Sequence, residues 1–266
     1  MLLRSTWLSL LALALALAGA AGAEEPKTAE AIQACVEANM PKTSSVQSIA
    51  LRAKDRVAAI TESKAKIYWK KSEDGRSRVL IEFSQPDDLR GASVLMLDRA
   101  KPGERNMFMY LPELRTVKRI TSRMVTGSMF GTDFSYEDFE MIEDYSKKAE
   151  AQRLEDTLLD GETTWVLEGR PAAGEMGGYT RILEYIDPKT CVRLKTELFE
   201  AKDRLRKVAS SDRKTLGQVS GLHYAPQLTL RDLVKQTETE LVIEKIEVGV
   251  EIPERLFSQA NLTKGK

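Results

Sequence analysis

Apolar and polar side chains alternate with a period of two through much of this chain, and that pattern restricts the fold more than any other feature. The alternation is clear at 48–54, 66–70 and 78–83, where every second residue is apolar. Turn-forming residues such as Asp74-Gly75 separate these stretches. The pattern predicts half-buried antiparallel strands joined by hairpin turns.

The number of strands and the scarcity of helices set the fold class. Further strands are expected at 92–97, 106–111, 163–167, 182–186, 192–198, 205–210, 215–219, 227–233 and 239–248. From these stretches we expect a fold of about ten or eleven strands and one substantial helix. Because strands and helices do not alternate, a parallel sheet is disfavoured. We therefore expect a mainly β chain, in which a single curved antiparallel sheet forms a half-open barrel with a helix or loop over its concave face.

Two of these strands, at 92–97 and 106–111, are apolar at nearly every position. Such a strand is covered on both faces, or it has one face on the core and the other on an apolar cavity. Methionine and aromatic side chains suit an adaptable apolar pocket, although core packing is the default explanation for them. The candidate ligand-binding residues are Phe83, Leu95, Leu97, Phe108, Tyr110, Phe130, Phe134 and Trp165.

Two segments are expected to cover the sheet. Residues 28–40 predict an amphipathic helix, because Thr28 can cap its start and Pro41 ends it. Residues 121–145 break the strand pattern and combine methionines and aromatics with glycines and acids. We interpret them as a loop with a short helical turn at 136–142. Both segments would have to open when a ligand is released.

The N-terminus has the order of features that a secretory signal peptide shows. A positive start at 1–4 precedes an apolar run at 8–17, and small residues at 21–23 form a cleavage site. A membrane anchor is the alternative, but the run is short for a span, which needs about 20 apolar residues. We therefore predict a signal peptide at 1–23 and a single mature domain at 24–266 with no transmembrane span.

Charge and cysteine content narrow the function further. Lys and Arg together number 40, and so do Asp and Glu, so the chain lacks the basic excess of a nucleic-acid-binding protein. Its two cysteines, Cys35 and Cys191, favour a disulfide in an oxidising compartment. Two unrelated thiols are the alternative, because Cys191 is expected on the polar side of its strand.

No set of residues points to catalysis. His223 is the only histidine, and no Gly-x-Ser-x-Gly elbow accompanies it. One histidine and two distant cysteines do not make a usual zinc site. The glycines within 174–178 follow no phosphate-binding motif and predict a hairpin loop. The sequence therefore predicts a protein that is not an enzyme, without catalytic residues, a metal or a cofactor.

Four sequence blocks are more specific than the composition. They are FSQPDDLRG at 83–91, MYLPELR at 109–115, VKRI at 117–120 and GSMFGTDFSYED at 127–138. In these blocks the chain resembles the outer-membrane lipoprotein-sorting protein-like family, the LolA-like periplasmic proteins. The resemblance implies a LolA/LolB-like half-open barrel, a cavity that accepts acyl chains, and a periplasmic location.

The resemblance also implies a function. It implies a carrier or chaperone that binds a lipid or a lipidated ligand and passes it between membrane partners. Because such relatives accompany RND-type inner-membrane transporters, a transporter of that type is an expected partner besides lipid or lipoprotein acyl chains. The alternative is a non-carrier interaction module with a filled interior, docking on a transporter or an outer-membrane complex. A hydrolase, the third interpretation, would hold two carboxyl groups about 5–10 Å apart in the cavity.

Overall fold

The computed structural model of the chain describes residues 28–100, 104–139, 149–171 and 178–263. The predicted signal peptide at 1–23 lies outside these residues, and so does most of the predicted loop at 174–178. The described residues form a 13-stranded antiparallel sheet and a separate two-stranded hairpin. This confirms the predicted fold class, because the sheet is curved but not closed and helices are few.

The large sheet follows the order of the chain except for one return in its middle. The strands are β1 Ser44–Lys54, β2 Ile60–Lys71, β3 Ser77–Gln85, β4 Ser93–Asp98, β5 Arg105–Leu111, β6 Thr116–Ile120, β7 Ala149–Leu159, β8 Glu162–Pro171, β9 Arg181–Ile186, β10 Arg193–Glu200, β11 Arg204–Ser210, β12 Gly217–Val219, β13 Leu222–Tyr224, β14 Gln227–Asp232 and β15 Thr237–Val248. Their order in the sheet is β6-β5-β4-β3-β2-β1-β15-β14-β11-β10-β9-β8-β7, and β12 pairs with β13 alone. The two halves of the chain are therefore joined where β15 pairs with β1.

The structure has more strands than the sequence pattern predicts, since the pattern does not identify β6, β7 and β13. The sequence of β7 is AEAQRLEDTLL, in which Ala, Glu, Gln, Arg and Leu are all strong helix formers. The segment is a strand because it pairs with β8 along its length. The secondary-structure propensity of the segment does not include this effect of pairing with another strand.

Helix α1, Ala29–Ala38, lies where the sequence predicts it. The backbone N–H of Ala31 donates to Oγ1 of Thr28 over 3.2 Å, so Thr28 is the N-terminal cap. The helix ends at its C-terminal cap, Asn39. Its buried side packs against sheet residues Trp165, Leu167 and Ile186.

Residues 121–139 cross the concave face, and we call them the plug segment. Its side chains Met129, Phe134 and Phe139 are buried in the main core, together with inward-facing residues of the sheet. A helical turn at 136–139 confirms the first part of the turn predicted at 136–142. The rest of the predicted loop, from residue 140 onward, lies outside the described residues.

Residues 249–263, the C-terminal segment, cross the opposite, convex face. The segment contains a 3-10 turn at Glu254–Phe257 and helix α2 at Gln259–Leu262. Together they bury a second cluster, which contains Leu80, Leu95, Tyr110, Ile252, Phe257 and Leu262. Strands β4 and β5 are therefore apolar on both faces because the chain itself covers both. This is the first of the two alternatives that the sequence left open for these strands.

Candidate functional site, an apolar cavity on the concave face

The concave face holds a cavity of about 340 Å³ between the sheet and the segments that cover it. Most of its walls are aliphatic or aromatic side chains. The sheet contributes Ile67, Trp69, Ala209, Leu228 and Ile243, which pack against the core but remain only partly buried. Such a concave, mainly apolar lining is typical of small-molecule sites.

Three parts of the chain cover this cavity. The end of α1 contributes Val36, and the plug segment contributes Phe134 and Phe139. The β12–β13 hairpin contributes Val219 and Leu222. The helix and the plug segment correspond to the cover expected from the sequence, and the hairpin adds to them.

Asn39 joins two parts of this cover to the sheet. Its Nδ2 donates to the carbonyl oxygen of Thr190 over 3.0 Å, in the turn between β9 and β10. Its Oδ1 accepts from the backbone N–H of His223 over 2.6 Å, in β13. One amide side chain therefore connects α1, the β9–β10 turn and the β12–β13 hairpin.

A disulfide fixes the same helix covalently. Cys35 of α1 is bonded to Cys191, with the two Cα atoms 5.7 Å apart. This separation is ordinary for a disulfide. Cys191 lies directly after Thr190 in the β9–β10 turn and borders the cavity. The α1 side of the cover is thus held by a covalent bond and a hydrogen bond at neighbouring positions.

The plug segment is held by a buried ion pair. Nζ of Lys207, on the concave side of β11, donates to Oδ2 of Asp138 over 2.6 Å and to the carbonyl oxygen of Asp133 over 2.8 Å. The hydroxyl of Tyr179 donates to Oδ1 of Asp138 over 2.9 Å. Burial, reinforced by the negative charges of Asp138 and Glu137, raises the pKa of Tyr179. The phenol therefore remains a donor to Asp138 well into the alkaline range.

A second anchor holds the plug segment at Asp133. Oδ2 of Asp133 accepts from the hydroxyl of Thr239 over 2.8 Å, and Thr237 donates to Oδ1. The backbone N–H of Asp133 donates back to Oγ1 of Thr239 over 2.8 Å. These bonds give Asp133 and Asp138 of the GTDFSYED block a structural role, because they tie the block to β11 and β15.

The charged side chains of the cavity wall are paired. Paired charges lower the cost of burying polar groups beside an apolar guest. Among the described residues, no group of three or more His, Cys, Asp or Glu is arranged to hold a metal ion. The pairs are Glu184–Arg193, Asp138–Lys207 and Lys195–Glu197.

A family profile described as "Uncharacterized protein" matches residues 75–264, which is more than half of the chain. The chain belongs to this family, and its fold is LolA-like. Proteins with curated descriptions include no significant match to the sequence. None of the helices in the described part of the chain combines the length and apolar character that a membrane span requires.

Solved bacterial structures show the same LolA-like fold. A domain from Vibrio parahaemolyticus described as an outer membrane lipoprotein-sorting protein has a TM-score of 0.79 and 24% identity, covering 88% of this chain and 97% of that one. A DUF1329 family protein from Desulfovibrio piger has a TM-score of 0.81 and 21% identity, with coverages of 87% and 96%. A LolA superfamily protein from Nitrosomonas europaea has a TM-score of 0.69 and 18% identity, with coverages of 89% and 100%.

Four of the eight candidate residues lie on the concave side of the LolA-like sheet or beneath α1. Phe134 borders the cavity. Phe83 and Phe130 are core partners, with ring centroids 4.8 Å apart. Trp165 packs under α1. Of this group, Phe134 alone is placed to touch a ligand in the cavity as it stands.

The other four candidates, Leu95, Leu97, Phe108 and Tyr110, lie on the convex face beneath the C-terminal segment. Successive side chains of a strand point to opposite faces of the sheet. Met96, next to Leu95, therefore borders the cavity while Leu95 does not. This placement corrects the expectation that these four residues line the ligand cavity, because the sheet itself separates them from it.

Sequence reasoning missed the partly buried wall residues, among them Ala209, Leu228 and Ile243. The alternation at β14 and β15 identifies an inward face for Leu228 and Ile243. It does not distinguish a core position from a cavity position, because that depends on what lies across the concave space. Ala209 has a further signal, since a small residue among larger apolar ones leaves room.

Proposed function

We propose that this LolA-like protein is a periplasmic carrier that binds an acyl chain, or an apolar group of similar size, in the concave cavity. The observation that carries the proposal is the cavity of about 340 Å³ with partly buried apolar walls. The likeness in fold to a protein described as lipoprotein-sorting supports it. The periplasmic location rests on the predicted signal peptide.

The size of the cavity favours a single chain. Sites for small molecules span about 300–1,000 Å³, so this one is at the small end of that range. Each buried methylene contributes about 0.8 kcal/mol, and ten of them contribute about 8 kcal/mol before the costs of binding. Apolar burial alone can therefore hold the ligand, and no reacting group is needed.

Release requires a second state that binds the ligand less well. The parts that could move are the covers: α1, the plug segment and the β12–β13 hairpin. The hairpin forms its own two-stranded sheet, separate from the large one, and is joined to α1 through Asn39. Docking on a membrane partner would supply the opening, and the RND-type transporter implied by the resemblance stays a prediction.

Titration of the delipidated protein with a fluorescent fatty acid tests the carrier proposal. Ile243→Glu places a charge in the cavity wall and should weaken binding at least about tenfold, because a buried unpaired carboxylate costs more than 1.4 kcal/mol. Val242→Glu is the matched control, since Val242 is the next residue of β15, is also partly buried, and points to the other face. Equal affinities for the two variants would contradict the proposal.

The bound ligand itself can be sought by mass spectrometry of an organic extract. Protein purified from the full sequence should release a molecule with at least one long acyl or alkyl chain, and the Ile243→Glu variant should release less of it. A clean extract together with no fatty-acid binding would favour the interaction module instead.

A further inference from the structure

Four of the seven large apolar side chains that are exposed in the described part of the chain lie in two turns at one end of the sheet. Val57 is 74% exposed and Ile60 is 46% exposed, at the turn between β1 and β2. Leu233 and Val234 are each 45% exposed, in the turn between β14 and β15. Scattered exposed apolar residues are ordinary, but a cluster marks a contact surface. We call these four residues the tip patch.

The two turns lie side by side because β1 and β15 are neighbours in the sheet. Lys54, at the end of β1, is paired in register with Glu238, near the start of β15. Neighbouring strands are about 4.8 Å apart. The turns at 55–59 and 233–236 continue from these paired residues, so both project from the same end of the molecule and form one surface.

Unpaired basic side chains flank the tip patch. The side chains of Lys54 and Arg56 are exposed and form no hydrogen bond or ion pair with another described residue. The carboxylate of Asp55 is hydrogen-bonded within its own turn, since Oδ1 accepts from the backbone N–H groups of Val57 and Ala59 over 2.9 and 2.8 Å. Most other acids nearby have cationic partners: Glu62 with Arg52, Glu238 with Arg231, and Asp232 with Arg206 and Lys235. Glu240 accepts a hydrogen bond from the side-chain amide of Gln227. The charge left without a partner is positive, which complements an anionic surface.

We propose that the tip patch docks on a bilayer surface that contains anionic phospholipids. The aliphatic side chains enter the interfacial region, and Lys54 and Arg56 pair with lipid phosphates. Projecting turns suit a deformable lipid surface, because it needs no complementary groove. The inference goes beyond the carrier proposal and does not depend on the cavity holding a ligand.

The patch lies beside an anchor of the plug segment. Thr237 and Thr239, which hold Asp133, directly follow the β14–β15 turn. The surface that meets the membrane is therefore close to one of the parts that cover the cavity.

Flotation with lipid vesicles tests the docking. Purified protein should float with vesicles of phosphatidylethanolamine and phosphatidylglycerol. It should remain in the bottom fraction with vesicles of phosphatidylcholine alone. Raising the salt concentration should weaken the binding, because exposed charges are screened. Lys54→Gln and Arg56→Gln should each lower the apparent affinity about fivefold, the effect expected of one basic residue at an anionic surface.

The apolar contribution is tested by Val57→Glu combined with Val234→Glu, which should abolish flotation. Leu158→Glu is the matched control, because Leu158 is 69% exposed but lies beside the β7–β8 turn, at the opposite end of the sheet. The control should float like the original protein. All variants should keep the original affinity for the fluorescent fatty acid in solution, which separates this test from that of the carrier proposal.

Three outcomes would overturn the docking proposal. One is an original protein that does not float with anionic vesicles. Another is a Leu158→Glu variant that loses flotation as completely as the tip variant. The third is a dimer in size-exclusion chromatography that Val57→Glu dissociates while flotation is absent, because the patch would then bind a second copy of the chain.

Discussion

At the scale of single residues, Lys207 is a cation in an unusual place. Its side chain is 5% exposed and that of its partner Asp138 is 4% exposed. Burying two charges costs several kcal/mol for each ion, and the cost is offset only if the pair has good geometry and further hydrogen bonds. Asp138 has them, since it also accepts from the hydroxyl of Tyr179 and the backbone N–H of Ser135. The pair therefore specifies where the plug segment sits more than it adds net stability.

Removing the cation should be costly. Lys207→Met leaves Asp138 buried without a positive partner, and the free energy of unfolding should fall by about 3–5 kcal/mol. Urea denaturation followed by tryptophan fluorescence measures the loss. Lys214→Met, at an exposed lysine, should change the stability by less than about 0.5 kcal/mol. A similar small change for Lys207→Met would mean that the pair does not anchor the segment.

Two tyrosines link stability to alkaline pH. Burial, followed by the charge of Glu197, raises the pKa of Tyr185 to about 12, and burial raises that of Tyr179. An unfolded tyrosine has a pKa of about 10. The folded chain therefore holds these protons more tightly, so the stabilisation is complete below about pH 10 and falls as the pH rises above it. The contribution of Tyr185 is lost by about pH 12. The urea concentration at the unfolding midpoint should therefore fall between pH 8 and 12. In a Tyr179→Phe, Tyr185→Phe double variant this fall should be less steep. An equally steep fall in the double variant would refute the assignment to these two tyrosines.

At the scale of elements, α1 depends on its attachments. A ten-residue helix is marginal by itself in water, because helix nucleation is unfavourable and few hydrogen bonds follow. The structure attaches it through the packing on Trp165 and Ile186, the Cys35–Cys191 disulfide and the bonds of Asn39. We therefore expect α1 to be the fixed side of the cover while the disulfide is intact.

Reduction of the disulfide should loosen this element. The two cysteines are 156 residues apart in sequence, and closing so long a loop stabilises the folded state by at most about 5 kcal/mol in the chain-entropy account. Denaturation with and without reductant measures the difference, and hydrogen exchange should show α1 opening first. A Cys35→Ser, Cys191→Ser variant should already have the lower free energy of unfolding, and the reductant should not change it further. Unchanged stability on reduction of the original protein would contradict this account.

At the scale of the whole molecule, the sheet separates two apolar surfaces with different purposes. The convex cluster consists of buried residues of β3, β4 and β5 together with buried residues of the C-terminal segment that covers them. The concave side combines a packed region under the plug segment with the open cavity. Ligand binding should therefore depend on the concave surface, whereas the convex cluster should contribute to stability alone.

Two substitutions should separate these roles. Phe257→Ala empties a buried convex site and should cost about 3–5 kcal/mol of stability, with no change in fatty-acid affinity of the folded protein. Ala209→Phe fills the cavity and should abolish that binding, while costing less than about 3 kcal/mol. Thermal denaturation and fatty-acid titration of both variants are the measurements. Loss of binding in Phe257→Ala at a temperature where it is folded would contradict the separation.

Much of the fold could be predicted from local signals. Thr28 capped the helix as expected, and strands β1 to β3 follow the alternation with its turns. The candidate site was predicted less well, because half of its residues lie on the convex face. The same strand pattern allows either assignment, since β4 offers Leu95 to one face and Met96 to the other.

For most strands the amino-acid sequence determined where the strand lies and which side chains share a face, because alternation is a property of each strand's own backbone. Strand β7 is an exception, since its pairing with β8 makes it a strand. Only the tertiary structure decided which face is concave and what covers it. Those answers come from contacts between distant parts of the chain, such as Asp138 with Lys207, 69 residues apart, and the C-terminal segment with β3 to β5. A local sequence pattern does not encode such contacts, so the cavity could be located only from the curved sheet together with the three parts that cover it.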